Sequence, residues 1–387
     1  MREKQVLPVA VVGLTAALVA VVALWTLDRV GGDGDQTVTS SGPDKVIEWK
    51  LVTTWPKGLP GLGAGPENFA RRVNQASGGR MHIKVFGAGE IVPAFEVFDA
   101  VSRGVAEAGH GAAYYWKGKI PAAVFYTAVP FGMTAQEANG WLHYGGGLEL
   151  WRELYAPFGV VPFAGGSSGV QMAGWFNIRL KSRADLQGLK MRIPGLAGEV
   201  FDAAGGSAVR IAGGEVYTSM QTGVIDAVEW VGPYNDRTLG LMEVGDYYYY
   251  PGWHEPGAML ETIVNEEALA ALPDDLQAIV RIAARATNTD MLDDFTANNS
   301  ESLQILLREF DIEVLPLPAD VLDALYESSQ KAIQALVESD PMAAKIAASY
   351  FEFAEKVRTY HEISERGYLN ARDRLLPAVT LTAGSAE

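Results

Sequence analysis

Between residues 47 and 86 the chain changes its hydrophobic period twice, and that alternation limits the fold more than any other feature. IEWKLV (47–52) alternates apolar and polar residues as a half-buried strand does. PENFARRVNQA (66–76) opens on a proline and carries Phe69 and Val73 one helical turn apart, and MHIKVF (81–86) alternates again. Strand, helix, strand predicts a βαβ unit, and with it an α/β protein built largely on parallel sheet. VPAFEVFDAVSRG then places Ala94, Phe98, Val101 and Val105 on one helical face, with Gly104 as the stop, and leads into a strand at VAEAGHGAAYY.

Further strands are expected at 159–164, 169–178, 189–193, 207–212, 257–265 and 311–315, and a short buried one at Val224, Ile225, Ala227 and Val228. Helices are expected at 215–222, from Pro273 to about Phe310, and as a C-terminal pair whose second member runs unbroken from Met342 to about Leu375. Tyr350, Phe351, Phe353, Val357 and Tyr360 give that last helix a broader apolar flank than a lone surface helix needs, so it either crosses the molecule or packs on a partner subunit. A chain of 387 residues, 48% hydrophobic and 20% charged, can build two lobes more readily than one core. AVSRGVAEAGH (100–110) and SMQTGVIDAVE (219–229) share one plan, with His110 opposite Glu229. Two lobes grown from related βαβ units would produce this, and so would the general likeness of helix–Gly–strand turns.

Charge narrows the partners. The net charge is −16, from 31 Lys and Arg against 47 Asp and Glu, which argues against nucleic acid, because a phosphate backbone wants a basic face. An anionic small ligand would need a local Arg held against the general field. Cysteine is absent, which removes disulfides, thiolate nucleophiles and Cys-ligated zinc. At the N-terminus, Arg2 and Lys4 precede an uncharged stretch from Val6 to Leu27, long enough as a helix at ~1.5 Å per residue to span a bilayer. This predicts export, by a cleaved signal peptide or a retained anchor over residues 1–30, with GGDGDQTVTSSGPD (31–44) as a flexible linker.

Several groups carry possible chemistry. Gly165–Gly169 matches G-x-S-x-G, but a nucleophile elbow at Ser167 needs a helix after it, and the residues that follow read as strand. The glycines of GLPGLGAGPENF lack dinucleotide-binding spacing. Arg192, between Met191 and Ile193, is either a salt-bridged strand residue or a planar fork aimed at a carboxylate. Glu229 ends an apolar run in GVIDAVEWVGPYND beside Trp230, and reads alone as a site acid, a cap or a core accident. Aromatics, among them Tyr114, Tyr115, Trp230 and Trp253, fall just past predicted strand ends, where ligands settle in open α/β sheets.

The helix turn FDAVSRGVAEAGH, the segment LKSRADLQGLKMRIPG and YTSMQTGVIDAVEW resemble the substrate-binding subunits of TRAP transporters, the tripartite ATP-independent periplasmic transporters. VFGAGEIVPAFEVFDAV, AGGEVY, VEWVGPYND and YYYYPGW are similar to the subgroup that binds 2-oxo acids such as pyruvate, or lactate, together with a metal ion. The resemblance implies a two-lobed periplasmic binding protein with crossing strands, a long hinge helix and a C-terminal helical extension. Lobe one would comprise 45–163 and 257–295, lobe two with the hinge 164–256 and 296–340, and 341–387 a possible dimerisation helix. It implies that Arg192 holds the substrate carboxylate, that Tyr114 and Tyr115 contact the substrate from the other lobe, that Gln171 and Trp230 also line the substrate, and that Gln171, Glu229, the Trp230 carbonyl and Glu255 hold Na⁺ or Ca²⁺. The partners implied are a TRAP membrane permease and a second copy of the chain. His254 departs from the pattern, standing where a second aromatic is expected after Trp253. The competing expectations are an exported hydrolase using Ser167, a lyase using Glu229 as base, or a receptor for dicarboxylates or sugar acids.

Overall fold

The computed structural model describes residues 46–310 and 312–377. The expected signal or anchor segment (1–30) and linker (31–44) lie outside the described residues; within them no helix is long and apolar enough to cross a membrane. The strands are β1 Ile47–Thr53, β2 Met81–Phe86, β3 Ala108–Gly111, β4 Val160–Ser167, β5 Gly174–Phe176, β6 Lys190–Arg192, β7 Ser207–Val209, β8 Ala227–Val228, β9 Tyr247–Tyr250, β10 Met259–Asn265 and β11 Glu313–Pro316. They form two sheets, in the orders β2-β1-β3-β10-β4 and β11-β9-β5-β8-β6-β7.

The two sheets share one plan, which favours the internal-repeat reading of 100–110 and 219–229. In the first, β1 pairs parallel with β2 and β3, then β10 runs antiparallel to both β3 and β4. In the second, β6 pairs parallel with β7 and β8, then β5 runs antiparallel to both β8 and β9. Helix Val97–Ser102 enters β3 through Gly104 at φ +69°, and helix Val216–Gln221 leads toward β8 through Gly223 at φ +70°, the left-handed conformation that glycine adopts without a Cβ penalty.

The fold is two-lobed, one sheet to each lobe, and the chain passes between the sheets through two short crossings, where β4 leads to β5 and where β9 leads to β10, and a third time along the helices that join β10 to β11. The crossings bind each other: Ser168 N–H to the Ala258 carbonyl at 3.2 Å, Gln171 N–H to the Glu255 carbonyl at 3.2 Å, and Gly252 N–H to the Gln171 carbonyl at 2.9 Å. A Cβ at Gly252 would lie 2.2 Å from that Gln171 oxygen, so only glycine fits there. Helix Asp274–Glu309 runs along both lobes, setting Met291 against Gly65 and Gly166, and Phe295 against Gly61 and Tyr234.

Four expectations need correction. The strand expected at 169–178 survives only as β5, because Gly169 turns at φ +71° and the Ser168 and Gln171 N–H groups bond to the other crossing instead of a sheet neighbour. The strand expected from Val224 is only Ala227–Val228, and Val224 is exposed. Val105 lies beyond its helix and is exposed. The last helix is two, Pro341–Ile363 and Glu365–Leu375, broken at Ser364; its buried residues end at Tyr350, so packing no longer holds it straight.

Glu261 sits fully buried on β10, between the Trp116 indole N–H and the Tyr155 hydroxyl, which donates at 2.9 Å. Burial raises its carboxyl from 4.5 to about 7. The folded protein keeps a proton that the unfolded chain releases near 4.5, so this contribution to stability is full below pH 4.5 and is lost as the pH rises to 7. Glu261→Gln keeps the shape without the titration. Unfolding by urea should show wild-type stability falling ~2–3 kcal/mol more than the variant's between about pH 5 and pH 8; parallel pH profiles would contradict this assignment.

Candidate functional site

The parallel pairing of β6 with β8 sets Arg192 opposite Val228, one residue from Glu229. Both charges are out of water, Arg192 at 1% exposure and Glu229 at 0%. Arg192 Nη1 donates to Glu229 Oε2 at 2.8 Å and to the Glu229 carbonyl at 2.7 Å, and Nε donates to the Ile211 carbonyl at 3.2 Å. Nη2 reaches the Tyr115 hydroxyl at 3.4 Å, so a residue following the other sheet closes the site from above. The Trp230 indole lies 5.1 Å from the guanidinium, a cation–π contact, and is held from behind by Gly213, where a Cβ would meet the ring at 2.1 Å.

The second crossing supplies Trp253, His254 and Glu255. His254 Nε2 lies 3.5 Å from Glu229 Oε1, and ligand atoms of Glu229, His254 and Glu255 all fall within 4.8 Å of one another. Burial first, then the charge of Glu229, pushes the Glu255 carboxyl well above its ordinary value, with Tyr114 and Arg192 partly offsetting. The first crossing brings Gln171, whose amide nitrogen donates to Ser168 Oγ at 2.9 Å. Among the described residues, four buried polar groups here have no hydrogen-bond partner: Gln171 Oε1, Glu229 Oε1, both His254 ring nitrogens and the Trp230 indole N–H. Buried polar atoms of native proteins are almost always paired, so this concentration marks a place built for something else.

The structure thus gathers Arg192, Tyr115, Glu229 and Trp230, with Glu255, His254 and Gln171 on the two crossings; Tyr114 packs its ring against Gly195 of the second lobe. In this closed arrangement the Arg192 fork is engaged by Glu229 and not left open. Ser167 is buried and its hydroxyl accepts from the Gly169 N–H at 3.2 Å, with coil and no helix after it, which removes the nucleophile-elbow expectation.

Sequence reasoning missed Asp236. It is fully buried and accepts from Trp175 Nε1 at 3.0 Å, Tyr248 Oη at 2.7 Å, Val231 N–H at 3.2 Å and Gly232 N–H at 3.0 Å, which fixes the turn after Trp230. Burial raises its carboxyl to about 7. An acid at a Pro-led helix start was its only signal. His110, opposite Glu229 in the repeat, accepts from Trp55 Nε1 at 3.0 Å on Nδ1 and donates to the Gly165 carbonyl at 3.2 Å; burial holds it near pKa 4 and so neutral.

Breaking a buried pair leaves one charge stranded, which costs more than removing both. Arg192→Met should therefore destabilise the ligand-free protein by ~3–5 kcal/mol. Adding Glu229→Gln should recover most of that loss, as read by urea unfolding at neutral pH; additive losses would show that the two groups do not depend on each other.

A family model described as bacterial extracellular solute-binding protein, family 7 (DctP), matches residues 51–340. The monocarboxylate 2-oxoacid-binding periplasmic protein of Nostoc sp. is 40% identical over 324 residues, 84% of this chain and 88% of that protein. A TRAP periplasmic solute-binding protein from Pseudoalteromonas atlantica, solved with sodium and pyruvate bound, aligns at TM-score 0.82 and 39% identity over 84% of this chain and 99% of its own. Another from Bordetella bronchiseptica, solved as a mixed-occupancy dimer with calcium and picolinate in one site and the other apo, aligns at TM-score 0.83 and 36% identity over 85% of this chain and 98% of its own. The chain belongs to the DctP family of bacterial extracellular solute-binding proteins, receptors that hold a solute and do not transform it.

Proposed function

We infer that this chain is the exported receptor of a TRAP transporter, closing on a small 2-oxo or 2-hydroxy monocarboxylate together with Na⁺ or Ca²⁺ and passing it to the membrane permease. The buried Arg192–Glu229 pair, with unpartnered oxygens beside it, carries the reading. A dry cleft tolerates no net charge, and the pair is neutral by itself. An anion alone would leave negative charge in it, and a cation alone positive; a carboxylate and Na⁺ entering together keep it neutral, and a carboxylate with Ca²⁺ would do so if Glu255 gave up its proton as the ion bound. This is why solute and ion should bind as one.

The donors present fit such an ion. Gln171 Oε1, Glu229, the Trp230 carbonyl and Glu255 would hold it, all hard oxygen donors suited to Na⁺ or Ca²⁺. When bound, the ion would supply positive charge that the acid's oxygens share with Arg192. Arg192 grips the carboxylate, Trp230 shields it, and Tyr114 and Tyr115 exclude water from the opposite lobe. One guanidinium suits one carboxylate, and the Nostoc relative's 2-oxo acids with the pyruvate of the Pseudoalteromonas structure support the substrate class.

Lobe one is assigned to 45–163 and 257–295, and lobe two with its hinge to 164–256 and 296–340. The receptor works in the periplasm, with residues 1–30 as a signal peptide or inner-membrane anchor. Tyr360, Ile363, Tyr368 and Leu375 are exposed on the two C-terminal helices, which supports a homodimer through 341–387. Sedimentation should show a dimer that Ile363→Asp with Leu375→Asp converts to monomer; a monomeric wild type would remove this assignment.

Calorimetric titration of chelator-treated protein with pyruvate and lactate tests the function. Saturable binding is expected when Na⁺ or Ca²⁺ is restored, with little heat before; heat only from succinate or a sugar acid, or turnover of an ester or oxo acid, would contradict it. Arg192→Lys keeps the charge but loses the fork, and should weaken binding by ~1–3 kcal/mol; unchanged affinity would take Arg192 out of the site.

A further inference from the structure

We propose that His254 is a specificity-determining residue that donates a ring N–H to the oxygen at C2 of the captured acid, so that the cleft prefers acids carrying oxygen there. The inference rests on the function proposed above and deepens it.

His254 is 1% exposed and neither ring nitrogen has a hydrogen-bond partner among the described residues. A neutral imidazole has one donor and one acceptor, and burying both unpaired costs free energy that the closed cleft must recover from a ligand. Its neighbours say where that ligand lies. The Glu229 carboxylate stands between Arg192, 2.8 Å from Oε2, and His254, 3.5 Å from Oε1. Guanidinium and imidazole are therefore spaced by the width of one carboxylate group, the first reaching it through Nη1–H and the second facing it with Nε2. A 2-oxo or 2-hydroxy acid carries acceptor oxygens on adjacent carbons, a carboxylate and a C2 oxygen, at a comparable spacing. Such an acid can take over both contacts at once, its carboxylate on Arg192 and its C2 oxygen on His254, while Glu229 turns to the cation.

An imidazole also offers a nitrogen lone pair, but Na⁺ and Ca²⁺ favour oxygen donors, and Gln171, Glu229 and Glu255 supply those. Phenylalanine or tryptophan in place of His254 would fill the space and provide no donor on the ring edge facing Glu229. The cleft would then read C2 only through the ion.

Calorimetry with pyruvate, lactate and propionate at saturating ion, on wild type, His254→Phe and His254→Gln, separates the possibilities. Wild type should bind pyruvate more tightly than propionate, which lacks oxygen at C2. His254→Phe should shrink that ratio about tenfold by weakening pyruvate and leaving propionate nearly unchanged, and His254→Gln, which restores an N–H donor, should recover part of it. Should His254→Phe fail to fold, the Gln variant alone decides, its ratio falling between wild type and unity. A ratio unmoved in the variants, or equal losses for pyruvate and propionate, overturns the contact. Loss of ion dependence with the ratio intact would make His254 an ion ligand and also overturn it. Wild-type protein that binds no monocarboxylate overturns the proposed function instead, which keeps the two failures apart.

Discussion

A guanidinium and a carboxylate held together out of water set the terms for the rest of this molecule. Removing two charges from solvent costs several kcal/mol per ion, and the pair is repaid only if its geometry is good and its spare hydrogen-bonding capacity is used. Much of the second lobe serves that end. Parallel pairing of β6 and β8 brings the residues side by side, the Ile211 and Glu229 carbonyls take guanidinium protons, and Asp236 fixes the turn that follows Trp230. What remains unpaid is confined to one face: Glu229 Oε1, Gln171 Oε1 and the His254 ring. Together with the Trp230 indole N–H, these unpaired atoms lie side by side where a ligand would enter.

The duplicated sheet plan explains why the chemistry is one-sided. Both lobes lead into a central strand through a left-handed glycine, with His110 inside β3 in one and Glu229 just past β8 in the other. His110 is closed off, neutral between Trp55 and Gly165. Glu229 is paired with Arg192 through one oxygen, and its other oxygen has no hydrogen-bond partner among the described residues. One lobe therefore holds the charges and the other brings aromatic rings over them, Tyr114 against Gly195 and Tyr115 against Arg192. The crossings, which carry Gln171 and Glu255, and the long helix Asp274–Glu309 touch both lobes.

The sequence made the lobe architecture legible because period and glycine placement are local properties. The βαβ start, the long helix and most strands follow from them. Arg192 was legible as an oddity, a charge inside an apolar strand, but its pairing with Glu229 was not, since that depends on which strands lie side by side. Gln171 was read as part of a strand, because GVQMAGWFNI alternates well enough; tertiary bonds between the two crossings override that pattern. His254 and Glu255 follow a run of four tyrosines whose strand is hidden by its own uniformity. Asp236 carried no spacing signal, because its four donors come from distant residues or from the backbone of its own turn. The break at Ser364 was invisible because helix propensity continues across it.

The central claim is that acid and ion enter together between Arg192 and Glu229 and exchange places with the contact that joins them. A crystal structure with pyruvate and Ca²⁺ bound measures this directly. The account predicts that the 2.8 Å contact of Arg192 Nη1 with Glu229 Oε2 is broken, with the pyruvate carboxylate on Arg192 and Glu229 turned to the cation. An intact Arg192–Glu229 contact, with pyruvate bound elsewhere in the cleft, would contradict it.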